Sequence, residues 1–138
     1  MAGNKITVQV DVNAPVEKAW RFWTEPAHIM QWNFASDDWQ CPSAENDVRV
    51  GGKLKARMSA KDQSAGFDFE ATYTLVEKFK RLEFALGDAR TVQIQFTPTP
   101  SGTKITETFD TEGAHSEEMQ RSGWQAILDN FKKHVETH

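Results

Sequence analysis

The apolar residues of this 138-residue chain recur with two periods, and the switches between them mark out its elements. Lys5 to Val12 alternates strictly, with Ile6, Val8, Val10 and Val12 on one parity and Thr7, Gln9 and Asp11 on the other, which is the pattern of a half-buried strand. Asn13-Ala14-Pro15 ends it, and Pro15 suits the first position of a helix, where its missing N–H is not needed. Val16, Ala19, Trp20 and Trp23 follow at helical spacing. Pro26 opens a second short helix that reaches about Trp32. From Phe34 to Asn46 the pattern is irregular and predicts only a short strand near Trp39–Cys41.

Period two then returns. Leu54, Ala56 and Met58 share a parity, as do Phe67, Phe69, Ala71, Tyr73 and Leu75, then Leu82, Phe84 and Leu86, then Val92, Ile94 and Phe96. Turn chemistry separates these runs: Gly51-Gly52, Asp62 to Gly66, Gly87-Asp88, and Pro98 to Gly102. Short links between one-sided strands predict an antiparallel meander with one wet face, and such a sheet needs a cover. The C-terminal segment supplies one. Ser116 can N-cap a helix whose first turn carries Glu117 and Glu118, suited to the positive end of the helix dipole. At ~100° per residue, Gly123, Trp124, Ile127, Leu128, Phe131 and Val135 fall in one arc, opposite Gln125, Asp129, Lys132, Lys133 and Glu136. About 22 residues at ~1.5 Å each give a rod of ~33 Å, enough to lie across six or seven strands. The order predicts an α+β domain with its helices on one face of the sheet. No repeat or linker interrupts the chain, so residues 1–138 read as a single domain.

Composition narrows the chemistry. Phe, Trp and Tyr nearly match Ile, Leu and Val in number, and four of the five tryptophans lie between residues 20 and 39. The interior is therefore built from few, bulky pieces. A formal net charge of −4 leaves no cationic excess to neutralise phosphates, which argues against a nucleic-acid partner. The single Cys41 excludes an internal disulfide and a CxxC zinc site, and no HExxH or EF-hand loop appears, so neither metal nor cofactor is expected. No run approaches the ~20 apolar residues of a membrane span, and the start MAGNKITVQV lacks an apolar signal core, so a cytoplasmic setting is expected.

Several stretches carry a family resemblance. They are Ala14-Pro15-Val16-Glu17-Lys18-Ala19-Trp20, Trp23-Thr24-Glu25-Pro26, Trp32, Val50-Gly51-Gly52-Lys53-Leu54, and Ser122-Gly123-Trp124-Gln125-Ala126-Ile127-Leu128. With the element order, they make the chain resemble the helix-grip, START-like (SRPBCC, birch-pollen-allergen-like) superfamily. Within it, the chain is similar to bacterial homologues of the C-terminal domain of the heat-shock-protein ATPase activator. The resemblance implies a curved antiparallel sheet of six to seven strands gripping a long C-terminal helix, with a largely apolar cavity between them. Nothing in the chain corresponds to the activator's separate chaperone-binding domain. Fold alone does not choose among the lipid carriers, hormone binders, cyclases and partner-contacting modules of the superfamily.

The residues suggest where chemistry would reside. Ile105 and Phe109 set the apolar parity of the last strand and put Glu107 on it. A carboxyl there must be paired, reach water at a cavity mouth, or hold its proton with a raised pKa. Arg57 falls on the wet parity of its strand and could reach Glu107 only if a bulge shifted the register. Gly123 costs ~1 kcal/mol relative to alanine inside a helix; close approach to the sheet is the favoured reason, with room for a ligand the alternative. Cys41 reads as a quiet semi-buried thiol, because no histidine stands at a telling spacing. The expected function is binding of a small hydrophobic or amphipathic molecule between sheet and helix. Met58, Phe69, Tyr73, Phe84, Ile94 and Trp124 would form the walls, with Trp32, Phe34 and Trp39 near the mouth and Glu107 as polar contact. A cyclase- or hydrolase-like enzyme using Glu107 as acid/base and a protein-interaction module are the alternatives, and a homodimer is compatible with either.

Overall fold

The computed structural model describes residues 4–138. The fold has one antiparallel sheet of seven strands, ordered β1-β7-β6-β5-β4-β3-β2, and three helices. The strands are β1 (Lys5–Val12), β2 (Trp39–Asn46), β3 (Lys53–Ala60), β4 (Gly66–Glu77), β5 (Arg81–Leu86), β6 (Thr91–Thr99) and β7 (Gly102–Asp110). Helices α1 (Val16–Thr24) and α2 (Pro26–Trp32) follow β1, and α3 (Glu117–Thr137) ends the chain. This is the expected helix-grip fold, a meander from β2 to β7 whose last strand returns beside β1.

The alternation seen in sequence sorts the residues between two faces. Ile6, Val8 and Val12 of β1, Val92, Ile94 and Phe96 of β6, and Thr103, Ile105, Glu107 and Phe109 of β7 are all buried on the inner face. The outer face is wet and laced with ion pairs such as Lys53–Glu70 and Arg57–Asp68. Two irregularities depart from the simple pattern. In β4 the pairing steps from Tyr73↔Phe84 to Leu75↔Glu83, so Thr74 is an extra residue. This bulge turns Leu75 off the inward parity and brings Val76 opposite the buried Leu82. The strand expected near Trp39–Cys41 runs on to Asn46, with a register shift between Gln40 and Ser43 around Pro42. Proline is tolerated there because β2 is an edge strand.

Helix ends follow local chemistry. Pro15 is the N-cap of α1 rather than its first residue, whereas Pro26 does occupy the first turn of α2. The Ser116 hydroxyl accepts a bond from the Met119 N–H at 3.1 Å and starts α3. Leu128, Phe131 and Val135 of α3 are fully buried, and the Phe131 ring meets Trp23 and Trp32 edge-on.

The two ends of the sheet are covered by different helices. α2 packs on β2, whereas α3 runs along β1 and no helix backbone packs closely against β3, β4 or β5. Against β1 the contact is polar and regular. Arg121 donates to Thr7 O (2.9 Å), Gln125 to Gln9 O (3.2 Å) and Lys132 to Asp11 O (2.6 Å), and Glu136 Oε2 accepts from Asn13 N (2.8 Å). Four side chains of one helix flank thus satisfy backbone groups of alternate residues from Thr7 to Asn13, along the edge strand β1 and just past its end.

Candidate functional site

The inner face between α3 and the β3–β5 part of the sheet is where sequence reasoning put the binding residues. Glu107 stands opposite Val8 on β1 and Ile94 on β6, with Ile105 and Phe109 along its own strand. It is 7% exposed, and no described residue hydrogen-bonds its carboxyl. Burial alone pushes that carboxyl up to about 8, with no nearby charge to offset it. No fully sealed side-chain oxygen or nitrogen among the described residues lacks a partner. The unpartnered Glu107 oxygens therefore border space that a water-sized group can enter.

The helix leaves room at the same level. Arg121 reaches Thr7 and Gln125 reaches Gln9, on either side of Val8, the direct neighbour of Glu107. The stretch of α3 between them contains Gly123 and Trp124. A Cβ built on Gly123 would meet nothing within 4 Å, so close approach of helix to sheet is not the reason for this glycine. The helix lacks a side chain beside open space. Next to it Trp124 stacks on Phe109, ring centroids 3.9 Å apart and nearly parallel, and holds the helix to β7.

The other expected residues divide into two groups. Phe34, Trp39, Phe69 and Trp124 are half-buried. Phe69 meets Phe84 edge-on, and Phe84 meets Tyr73 in the same way. The backbone carbonyl of Phe34 accepts from Asn130 on α3, which ties the loop after α2 to the helix. Met58, Tyr73, Phe84 and Ile94 lie deeper. Tyr73 donates to Asn46 Oδ1 at 2.7 Å and its phenol is pushed up to about 12 by burial. Trp32 is core and not mouth: it is 4% exposed, packs against Trp23 and Phe131, and donates its indole N–H to Phe22 O.

Arg57 does not approach Glu107. It pairs with Asp68 at 3.4 Å, and strands β4, β5 and β6 separate β3 from β7. Cys41 is buried, its thiol pushed up by that burial. Two surface depressions lie away from Glu107 and α3. One of about 370 Å³ is bounded by β2, β3 and β4 and shares Phe69 with the candidate set; one of about 530 Å³ lies between the start of α1 and the β6–β7 turn.

Sequence reasoning missed two groups. Ile127, Leu54 and Leu86 are half-buried apolar residues around the same inner face. Their periodicity showed them inward but not that they stay partly open. The second is a histidine pair, His28 and His134, brought to 3.0 Å by the packing of α2 on α3. Among the described residues, no group of three or more His, Cys, Asp or Glu stands close enough to hold a metal, and no helix is long and apolar enough to cross a membrane.

Solved structures with this fold are numerous. An AHSA1-like protein from Aeromonas hydrophila is 45% identical, with 97% of this chain and 93% of that one covered and a TM-score of 0.91. A protein from Cytophaga hutchinsonii is 49% identical over 98% and 94% of the two chains, with a TM-score of 0.84. A Nitrosomonas europaea protein at 22% identity and a TM-score of 0.83, covering 96% and 94%, shares the fold. None of the curated proteins matches. The family model described as Activator of Hsp90 ATPase homolog 1-like protein matches residues 13–136, and the chain belongs to that family.

Proposed function

We propose that the protein binds a small hydrophobic or amphipathic molecule in the groove between α3 and the inner face of β3–β7. The observation that carries this reading is Glu107, a buried carboxyl without a protein partner, level with the one position of α3 where a glycine leaves open space. A carboxyl in such surroundings costs stability, and contact with a ligand's polar end would offset that cost. Phe34, Trp39, Phe69 and Trp124 line the groove, with Met58, Tyr73, Phe84 and Ile94 beneath and Trp32 supporting the base of the loop. Pockets of this kind are mostly apolar with a few placed polar groups.

A cyclase- or hydrolase-like use of Glu107 requires a second polar group converging on the carboxyl. Its neighbours Val8, Ile94, Ile105 and Phe109 offer none. The test is native mass spectrometry of freshly purified protein. A co-purified amphipathic species that is lost on Gly123→Phe supports the groove. A clean apo mass, together with failure of added long-chain alcohols to bind, overturns it in favour of a protein-contacting surface around the exposed Phe67 and its half-buried neighbour Trp39, whose rings lie 6.1 Å apart.

A further inference from the structure

Resting on that reading, we propose that the molecule held in the groove ends in a protonated amine, which Glu107 receives as an ion pair. Among the described residues no hydrogen bond reaches the Glu107 carboxyl, whereas the buried Thr24 and Thr103 hydroxyls each donate to a backbone carbonyl. The elements around it show what is missing. β1 presents Ile6, Val8 and Val10, β6 presents Val92, Ile94 and Phe96, and β7 itself adds Thr103, Ile105 and Phe109. None of these titrates, and the Thr103 hydroxyl is spent on Ala14 O at 2.8 Å.

On α3, the polar groups near this level are committed elsewhere. Arg121 and Gln125 bond the β1 edge, and the Gln120 amide bonds Glu112 O and His115 O. His134, further along, is held by His28. Among the described residues, the strands and α3 groups around Glu107 thus offer it no free base or cation, inside a protein of net charge −4. An anionic head such as a fatty acid's would set carboxylate against carboxyl. A neutral alcohol would gain one ordinary hydrogen bond. An ammonium gains a charge-assisted bond, roughly twice as strong, in surroundings that screen it poorly.

Binding then moves one proton. At neutral pH burial keeps the Glu107 carboxyl largely protonated. Entry of R–NH3+ converts the carboxylic acid to carboxylate, the ion pair forms, and the displaced proton leaves to solvent. Net charge inside the groove stays zero. Affinity for the amine consequently rises with pH until Glu107 is ionised in the free protein, and levels off above about pH 8.

Calorimetric titration of the protein with decylamine, decan-1-ol and decanoate at pH 7, in two buffers of different ionisation enthalpy, tests this. The expected result is decylamine binding at least about tenfold more tightly than decanol, decanoate weakest, and nearly one proton released per amine bound. On saturation with decylamine the Glu107 carboxyl carbon resonance should move to its ionised position. Glu107→Gln should abolish the preference for amine. Decanol or decanoate binding as tightly as decylamine, absence of proton release, or an unmoved carboxyl resonance each overturns the amine assignment while leaving the groove reading intact. Failure of all three molecules to bind the wild-type protein overturns both.

Discussion

His28 on α2 and His134 on α3 meet ring to ring, with Nδ1 of the first 3.0 Å from Nε2 of the second. Such a contact holds one shared proton and cannot hold two imidazolium ions. Phe22 stacks on His28 at 3.8 Å, and the His138 ring lies 4.2 Å from His134. Burial lowers both pKa values, that of His134 to about 4. The unfolded chain, with histidines titrating near 6.5, takes up protons first as pH falls. The stabilisation is therefore complete above pH 6.5 and is lost on descent towards pH 4. Urea midpoints at pH 6.5, 5.5 and 4.5 should fall progressively, and His134→Gln should flatten the fall. An equally steep fall in the variant would place the acid sensitivity elsewhere.

Glu107 acts in the opposite direction. Its folded pKa, about 8, lies above the ordinary carboxylate value of 4.5, so the folded protein holds a proton that the unfolded chain gives up first. Its contribution is fully present below pH 4.5 and is lost as pH rises towards 8. Glu107→Gln should leave stability nearly unchanged at pH 4.5 and gain by up to a few kcal/mol at pH 8. Denaturation curves of both proteins at those two pH values read the difference directly; an equal gap at both would show that ionisation is not what the site penalises.

Gly123 can accept a side chain without a clash. Gly123→Ala should raise stability by about 1 kcal/mol through helix propensity alone. Gly123→Phe should fold and yet block the groove, lowering the affinity for decan-1-ol at least about tenfold through lost apolar contact. Thermal melts and titration separate the two effects. Unaltered alcohol binding in Gly123→Phe would move the site away from α3.

Gly102 offers the contrary case. A Cβ there would sit 2.1 Å from Val12 O and 2.8 Å from Ala14 N, where β7 begins against the end of β1. Gly102→Ala should cost more than about 2 kcal/mol, because backbone and not a flexible side chain blocks it. Gly113→Ala, with nothing within 4 Å, provides the control. Equal melting temperatures for the two variants would mean that the strand ends can part freely.

The strand parities, the meander and the long helix were legible because one buried face forces period two, and one buried stripe forces the helical period. What could not be read depends on backbone irregularity or on distance. Leu75 looks inward until Thr74 is inserted opposite nothing. β2 hides because WQCPSAEN alternates poorly and contains a proline. Trp32 resembles a lip residue in sequence, yet Phe131, ninety-nine positions on, closes over it. His28 and His134 stand 106 residues apart, and only the docking of α2 on α3 makes them neighbours. Glu107 was legible because its parity alone sets a charged type among apolar ones.

The row of bonds from Arg121, Gln125, Lys132 and Glu136 to the flank of β1 bears on how the protein behaves when crowded. A sheet ordered from β1 to β2 has two open margins on which a foreign strand could polymerise. At one, Arg121, Gln125 and Lys132 of the C-terminal helix have already taken the Thr7, Gln9 and Asp11 carbonyls that such a strand would need. At the other, Pro42 and the irregular pairing around it spoil the template. Strand addition at the β1 margin must therefore first break these bonds from α3.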